Sequence, residues 1–246
     1  MTPGPDTLGS DKRPDRISGM FDAIAPRYDL LNHLLSGGLD VRWRRKAVQA
    51  LDLRGGETVL DLCAGTGDLA IAVANRDPGP CLVVGIDRSG EMLKIGREKL
   101  AWRRLGGRVR LVQGDAMSLP LDSGSVDAAA VAFGIRNVQR PEVAFAEVFR
   151  VLRPGGRFAI LEFGLPRAPV VRRAYLAYSH HVLPRIGSLV SGHASAYTYL
   201  PASVDTFPEP ERVIESLGAT GFSQVRADPL ALGIVYLYSA FKQPRS

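Results

Sequence analysis

The sequence predicts an α/β fold: a mostly parallel, seven-stranded sheet with helices on both faces and a terminal antiparallel hairpin. Three observations predict it. Apolar, β-branched runs alternate with helical stretches between residues 58 and 163, the rhythm of a parallel sheet with right-handed crossovers. A glycine turn, Ala64-Gly65-Thr66-Gly67, follows the first of those runs. Two closing apolar runs, 224–228 and 234–241, are joined by a short span and read as a hairpin.

The elements follow in order. Residues 1–16 hold Pro, Gly and charges without an apolar core, so they read as a flexible tail and not as a secretory signal. Residues 17–53 carry a helical pattern that Ser36-Gly37-Gly38 should split and Pro26 should disturb. Strands are expected at 58–63, at 81–86 ending in Asp87, and at 109–112 ending in Gly114-Asp115. Helices are expected at 68–75 and at 89–104, the latter with Ser89 as N-cap. A fourth strand, 126–133, is an apolar run that should be buried on both faces. A helix over 141–152 should stop at Pro154-Gly155-Gly156, with a fifth strand at 157–163. The stretch 164–222 is too long for a bare loop and should form a helical cap.

Composition sets the class. With 246 residues, 46% hydrophobic and 23% charged, the chain fits one soluble domain with a substantial core. No apolar run approaches the ~20 residues of a membrane span, and a cytoplasmic location is the default expectation. Cys63 and Cys81 lie in apolar runs and read as reduced and buried. The net charge of +6 suits an anionic membrane surface or nucleic acid, but most basic clusters, such as Arg42, Arg44, Arg45 and Lys46, read as solvated helix faces.

Ligands of such sheets bind beyond the carboxyl ends of the strands. There the glycines permit φ > 0 and bring backbone N–H groups to a ligand at a helix N-terminus. The turn alone is ambiguous, because Gly65-Thr66-Gly67-Asp68-Leu69-Ala70 also satisfies a dinucleotide fingerprint with Asp87 about 20 residues on. Two features favour S-adenosylmethionine over a nicotinamide: Asp115 ending the third strand, and the closing hairpin. Asp87 then accepts from ribose and Asp115 from the adenine amino group. No Asn-Pro-Pro-Tyr motif points to base methylation, and no His/Cys/Asp cluster has metal-ligand spacing.

Four stretches resemble the ubiquinone/menaquinone biosynthesis C-methyltransferase family over most of residues 17–243. They are Met20 to Asn32 followed by Trp43-Arg44-Arg45; Ala132-Phe133-Gly134-Ile135-Arg136-Asn137-Val138; the generic Arg150 to Gly156 element; and Tyr197 to Val204 with Phe207-Pro208. The resemblance implies a Rossmann-like class I methyltransferase domain over 17–246, with N-terminal helices (17–53) and a cap insertion (164–222). It implies cofactor contacts from Thr66, Asp87 and the Asp115-Ala116 pair, beside Gly65 and Gly67 of the turn, which are candidates through their backbone freedom. Ala132 stands where some members carry a serine contact, a side-chain hydrogen bond Ala132 does not supply. The implied reaction methylates a ring carbon of a polyprenylated hydroquinone, demethylmenaquinol to menaquinol, with ubiquinone-type ring methylation or another phenolic or lipid acceptor as alternatives.

The ring carbon becomes nucleophilic when a neighbouring hydroxyl ionises, which costs roughly 4 kcal/mol at pH 7 for a pKa near ~10. Arg136 is the candidate to stabilise that phenolate and Asn137 to orient the ring or a proton-accepting water. Tyr28, Tyr197 and Tyr199 are candidates for the acceptor pocket, with packing as the plainer role. His33 reads as structural; His180, His181 and His193 fall in the cap. A membrane-dissolved acceptor implies peripheral contact with the inner face of the membrane, through Arg167, Arg172 and Arg173 beside Val170, Val171 and Leu176. No nucleic-acid partner is expected, since aromatic–basic interleaving is missing; homo-oligomerisation stays open.

Overall fold

The computed structural model describes residues 12–80, 82–182 and 194–244. Its centre is one seven-stranded sheet in the order β3-β2-β1-β4-β5-β7-β6. Strands β1 (Thr58–Leu62), β2 (Leu82–Asp87), β3 (Val109–Gln113), β4 (Val126–Ala132) and β5 (Leu152–Phe163) run parallel. β6 (Ser223–Leu230) and β7 (Val235–Phe241) form the antiparallel hairpin, with β7 inserted beside β5. The chain reverses its winding between β1 and β4, and their carboxyl ends open the crevice where ligands of such sheets bind.

The helices are α1 (Pro14–Leu35), α2 (Leu39–Ala50), α3 (Asp68–Ala74), α4 (Gly90–Trp102), α5 (Pro141–Val151), α6 (Pro169–Ala177), α7 (Ala194–Asp205) and α8 (Pro210–Thr220). Ser89 caps α4 as its sequence position indicates, accepting from Met92 N at 3.1 Å, a bond of the kind worth about 1 kcal/mol. One core layer packs α2, α3 and α4 on the sheet through Leu51, Val59, Leu93 and Ala130; the opposite layer packs α5 and α8 through Leu60, Phe145, Phe158 and Leu217. Ala128, Ala129 and Ala130 of β4 are buried between both layers, so the central strand is covered on both faces.

Three boundaries differ from the sequence reading. α1 starts at Pro14, inside the expected tail, and runs through Pro26 without a break. The lost backbone bond at Pro26 is offset by burial of Ile24, Ala25 and Leu31 and by side-chain anchors described below. β5 starts at Leu152, because Pro154-Gly155-Gly156 forms a bulge within the strand: pairing jumps from Val126↔Leu152 to Ala128↔Arg157. The cap holds α6, a single π-turn at Tyr178–Val182, α7 and α8. Cys81 and His193 lie outside the described residues, as do residues 1–11 of the expected tail and the side chain of Tyr197.

Candidate active site

Two adjoining cavities open at the carboxyl ends of the strands. The first, a cleft with about 800 Å³ of open space, is lined by Gly65, Asp87, Asp115, Ala116, Ala132 and Asn137 among others. Gly65 has φ +55°, and a side chain there would project into the open cleft without meeting any atom. Asp87 anchors the turn: its Oδ2 accepts from Gly65 N and its Oδ1 from Ser89 N, both at 2.8 Å. Burial raises the Asp87 carboxyl above its ordinary pKa against the opposing backbone donors of Ser89, Gly65 and Arg88; a carboxylate offers about four lone-pair sites, which leaves room for a further donor. Asp115 Oδ1 accepts from Met117 N at 2.9 Å and Oδ2 from Arg88 Nη1 at 2.7 Å. Ile86, Met92 and Met117 supply apolar walls. Hydroxyl acceptors, a second carboxylate and apolar walls fit an adenosyl group.

The structure does not bring Thr66 and Gly67 into this lining. Thr66 is buried, donating to Asp29 Oδ1 at 2.5 Å and accepting from Lys99 Nζ at 3.1 Å. Gly67, at φ +80°, caps α3. Strain gathers at the cleft instead. Cys63 and Phe133, at the ends of neighbouring strands, hold φ of +53° and +59°, values that side chains rarely adopt without tertiary enforcement. A Cβ on Gly134 would sit 2.4 Å from Cys63 Cβ, so glycine is required where β4 passes β1.

α1 covers the cleft, and three of its carboxylates recur every seventh residue along one face. Asp15 accepts from Arg88 at 3.4 Å; Asp22 accepts from Ser89 Oγ at 2.5 Å and Glu91 N at 3.3 Å; Asp29 accepts from Thr66 and, at 2.8 Å, from Lys99. The sequence reading missed this spacing, although it is visible in the sequence.

The second cavity, with about 1220 Å³ of open space, shares Phe21, Tyr28 and Phe133 with the cleft. Leu31, Leu35, Leu39, Trp43, Tyr175, Tyr178, Tyr199, Leu200 and Ile234 make it apolar and aromatic. Arg136 lines this cavity and not the cleft. Its Nη1 donates to Glu162 Oε1 at 2.8 Å and to Phe133 O at 2.5 Å, and its Nε donates to Ser203 Oγ at 3.2 Å. Burial opposes the guanidinium charge most strongly of any single cause, but Glu162, joined by Tyr28 and Tyr199, raises the pKa on balance. The ion pair weighed against a substrate role is therefore present, while Nη2 makes no hydrogen bond among the described residues.

Asn137 lines the cleft and accepts at Oδ1 from Tyr199 Oη, 3.0 Å away in the second cavity. Tyr28, on the shared wall, is raised in pKa by burial, so it stays a neutral phenol. His33 contacts Asp40 at 3.2 Å, and His180 faces Asp205 at 3.3 Å. Sequence reading also missed Glu162 and Asp40. The former is a lone acid inside the apolar run Phe158-Ala159-Ile160-Leu161-Glu162-Phe163, a pattern that calls for a buried cation or a protonated carboxyl.

Fold and cleft together place the chain in a class, the Rossmann-like methyltransferases that use S-adenosylmethionine. Within that class the comparisons are specific. The chain belongs to the ubiE/COQ5 methyltransferase family, whose model matches residues 9–242. It is 48% identical over 231 residues to the ubiquinone/menaquinone biosynthesis C-methyltransferase UbiE of Syntrophotalea carbinolica, covering 94% of each chain. It is 46% identical to the demethylmenaquinone methyltransferase of Thermus thermophilus, covering 89% of this chain and 98% of that one. Solved structures with the same fold include the [4+2]-cyclase SpnF (TM-score 0.69, 19% identity, 93% and 96% coverage). Another is an S-adenosylmethionine-dependent methyltransferase from Thermotoga maritima (TM-score 0.64, 19% identity, 92% and 100% coverage). A cyclase on this fold shows that the scaffold alone does not set the chemistry.

Proposed function

We propose that this chain transfers a methyl group to a ring carbon of a polyprenylated hydroquinone, converting demethylmenaquinol to menaquinol. The observation that carries the reading is the aromatic wall of Phe21, Tyr28 and Phe133, which separates a donor cleft from a large apolar cavity containing a buried arginine. Bound S-adenosylmethionine supplies an electrophilic methyl group. Asp87 and Asp115 hold its adenosyl part, with Gly65 leaving the backbone open to it and Ala116 beside Asp115; Thr66 acts indirectly, by tying the turn to α1.

The second cavity receives the ring. Arg136, through its free Nη2, stabilises the ionised hydroxyl next to the reacting carbon, and the dry aromatic walls strengthen that attraction. Asn137, held by Tyr199, fixes the boundary between the two ligands. Positioning across a shared wall supplies the rest.

The lid helices and the cap serve one methyltransferase domain spanning 17–246. Among the described residues no helix is long and apolar enough to cross a membrane. The prenylated acceptor is met by peripheral contact with the inner face of the membrane, through exposed Val170 and Leu232 and the basic residues of α6.

The test incubates the purified chain with isotopically labelled S-adenosylmethionine and demethylmenaquinol in detergent micelles. A ring-methylated product supports the reading; bound donor without product from this acceptor ends it.

A further inference from the structure

Arg44 is a second buried cation of the aromatic cavity. Its side chain lines that cavity and is 10% exposed. Nη1 is bonded to Asp40. Nη2 stands 3.7 Å from Asp68, outside hydrogen-bonding distance, and neither Nη2 nor Nε makes a hydrogen bond among the described residues. Packing does not seal these groups, for neither is among the fully enclosed unpartnered atoms.

Four side chains form one stack in the cavity wall. The Arg44 guanidinium lies 5.8 Å from the Phe133 ring centre, Phe133 lies 4.6 Å from Phe163, and Arg136 lies 5.3 Å from Phe163. The stack ends in a cation on either side, and each cation keeps N–H donors unfilled. These N–H groups open onto the cavity, where a ligand oxygen can accept from them in place of water. A monophenol meets one arginine. An aromatic ring with oxygens on opposite carbons offers an acceptor to each.

We propose that Arg44 is a substrate-binding residue that donates to the ring oxygen farther from the reacting carbon, so that the site selects para-dioxygenated rings over monophenols. The inference rests on the reading of the second cavity as the acceptor site. Arg136 serves the nearer oxygen, whose ionisation activates the carbon. The farther oxygen is meta to that carbon and contributes little to its nucleophilicity, so discrimination by it reports binding and not intrinsic reactivity.

The experiment compares two acceptors, a prenylated 1,4-naphthalenediol with its ring position open and the same ring lacking only the farther hydroxyl. With the native chain, kcat/KM is expected to favour the diol by about 10- to 100-fold, the worth of one hydrogen bond to a charged group. In Arg44→Lys, which keeps a charge beside Asp40 but loses the planar fork, that preference collapses while affinity for the methyl donor, read by calorimetry, is retained. Equal rates on both acceptors with the native chain would overturn the role of Arg44 and leave methyl transfer standing. So would an undiminished preference in the variant. Donor binding without product from either acceptor would instead overturn the reading beneath it. The native-chain comparison needs no variant to fold.

Discussion

The cleft proposed for the methyl donor draws its polar groups from the ends of consecutive strands: Gly65 after β1, Asp87 on β2, Asp115 after β3. The aromatic cavity draws Arg44 from α2, Arg136 from the turn after β4, and its remaining walls from α1, the cap and the residues before β7. The electrostatics differ just as much. In the cleft, carboxylates are bonded mainly to backbone N–H groups and keep lone pairs for a ligand. In the cavity, each arginine arrives with a buried carboxylate of its own, Asp40 or Glu162. Damage to the cleft should therefore appear first as lost ligand affinity, and damage to the cavity first as lost stability.

The largest expected effect tests the cavity side. Arg136→Met strands Glu162, which is fully buried, and should cost about 3–5 kcal/mol of unfolding free energy, read by denaturant titration. The double change Arg136→Met with Glu162→Met should recover most of that stability while leaving methyl transfer impaired. A single variant of native stability would break the contrast.

On the cleft side, Asp87→Ala should weaken binding of the methyl donor on the order of 100-fold, the worth of one strong charge-assisted hydrogen bond. Calorimetry with and without acceptor reads the difference, and acceptor affinity should change little.

Asp61, on β1, is buried; it accepts from Ala70 N at 2.8 Å through Oδ2, and Oδ1 has no partner among the described residues. Burial pushes its pKa up to about 8. A carboxyl raised in the folded state binds a proton there that the unfolded chain has released. Its contribution is therefore complete below about pH 4 and is lost as pH rises towards 8, with a slope of at most about 1.4 kcal/mol per pH unit. Asp61→Asn should flatten the stability profile across that window. A profile unchanged by the substitution would show that Asp61 is ionised in the folded chain.

The smallest effect sharpens the boundary between the two regions. Tyr199→Phe removes the hydroxyl that holds Asn137 and should lower kcat by roughly 10-fold, the scale of one hydrogen bond, with donor affinity intact. A matching loss of donor affinity would mean that Tyr199 supports the cleft and not the junction.

The two regions also differ in how far the sequence exposed them. The cleft was legible because its determinants are local: a glycine turn, then an acid at each of two strand ends, in phase with the βαβ rhythm. Arg136 and Asn137 were found through a resemblance, not through spacing. Arg44 was not distinguished, because Arg42, Arg44, Arg45 and Lys46 look alike along α2 and only burial separates Arg44 from the rest. Asp40, one helical turn before it, was the available hint. Pro26 misled for the opposite reason, since a local rule for helix breaking was outweighed by anchors distant in sequence. Thr66 sits in the right loop, but its hydroxyl is claimed by Asp29 on a helix that no local pattern could have brought there.

The hairpin carries a consequence for how the chain reaches its native state. β7 is made after β6 yet lies inside it, paired to β5 on one side and β6 on the other, with Tyr238 almost fully enclosed. During synthesis the edge of β5 therefore stays open until residue 241 has left the ribosome, and folding of this half of the sheet waits for the last strand. A stalled or clipped product that ends before β7 would expose the apolar flank of β5, a template for pairing with other chains.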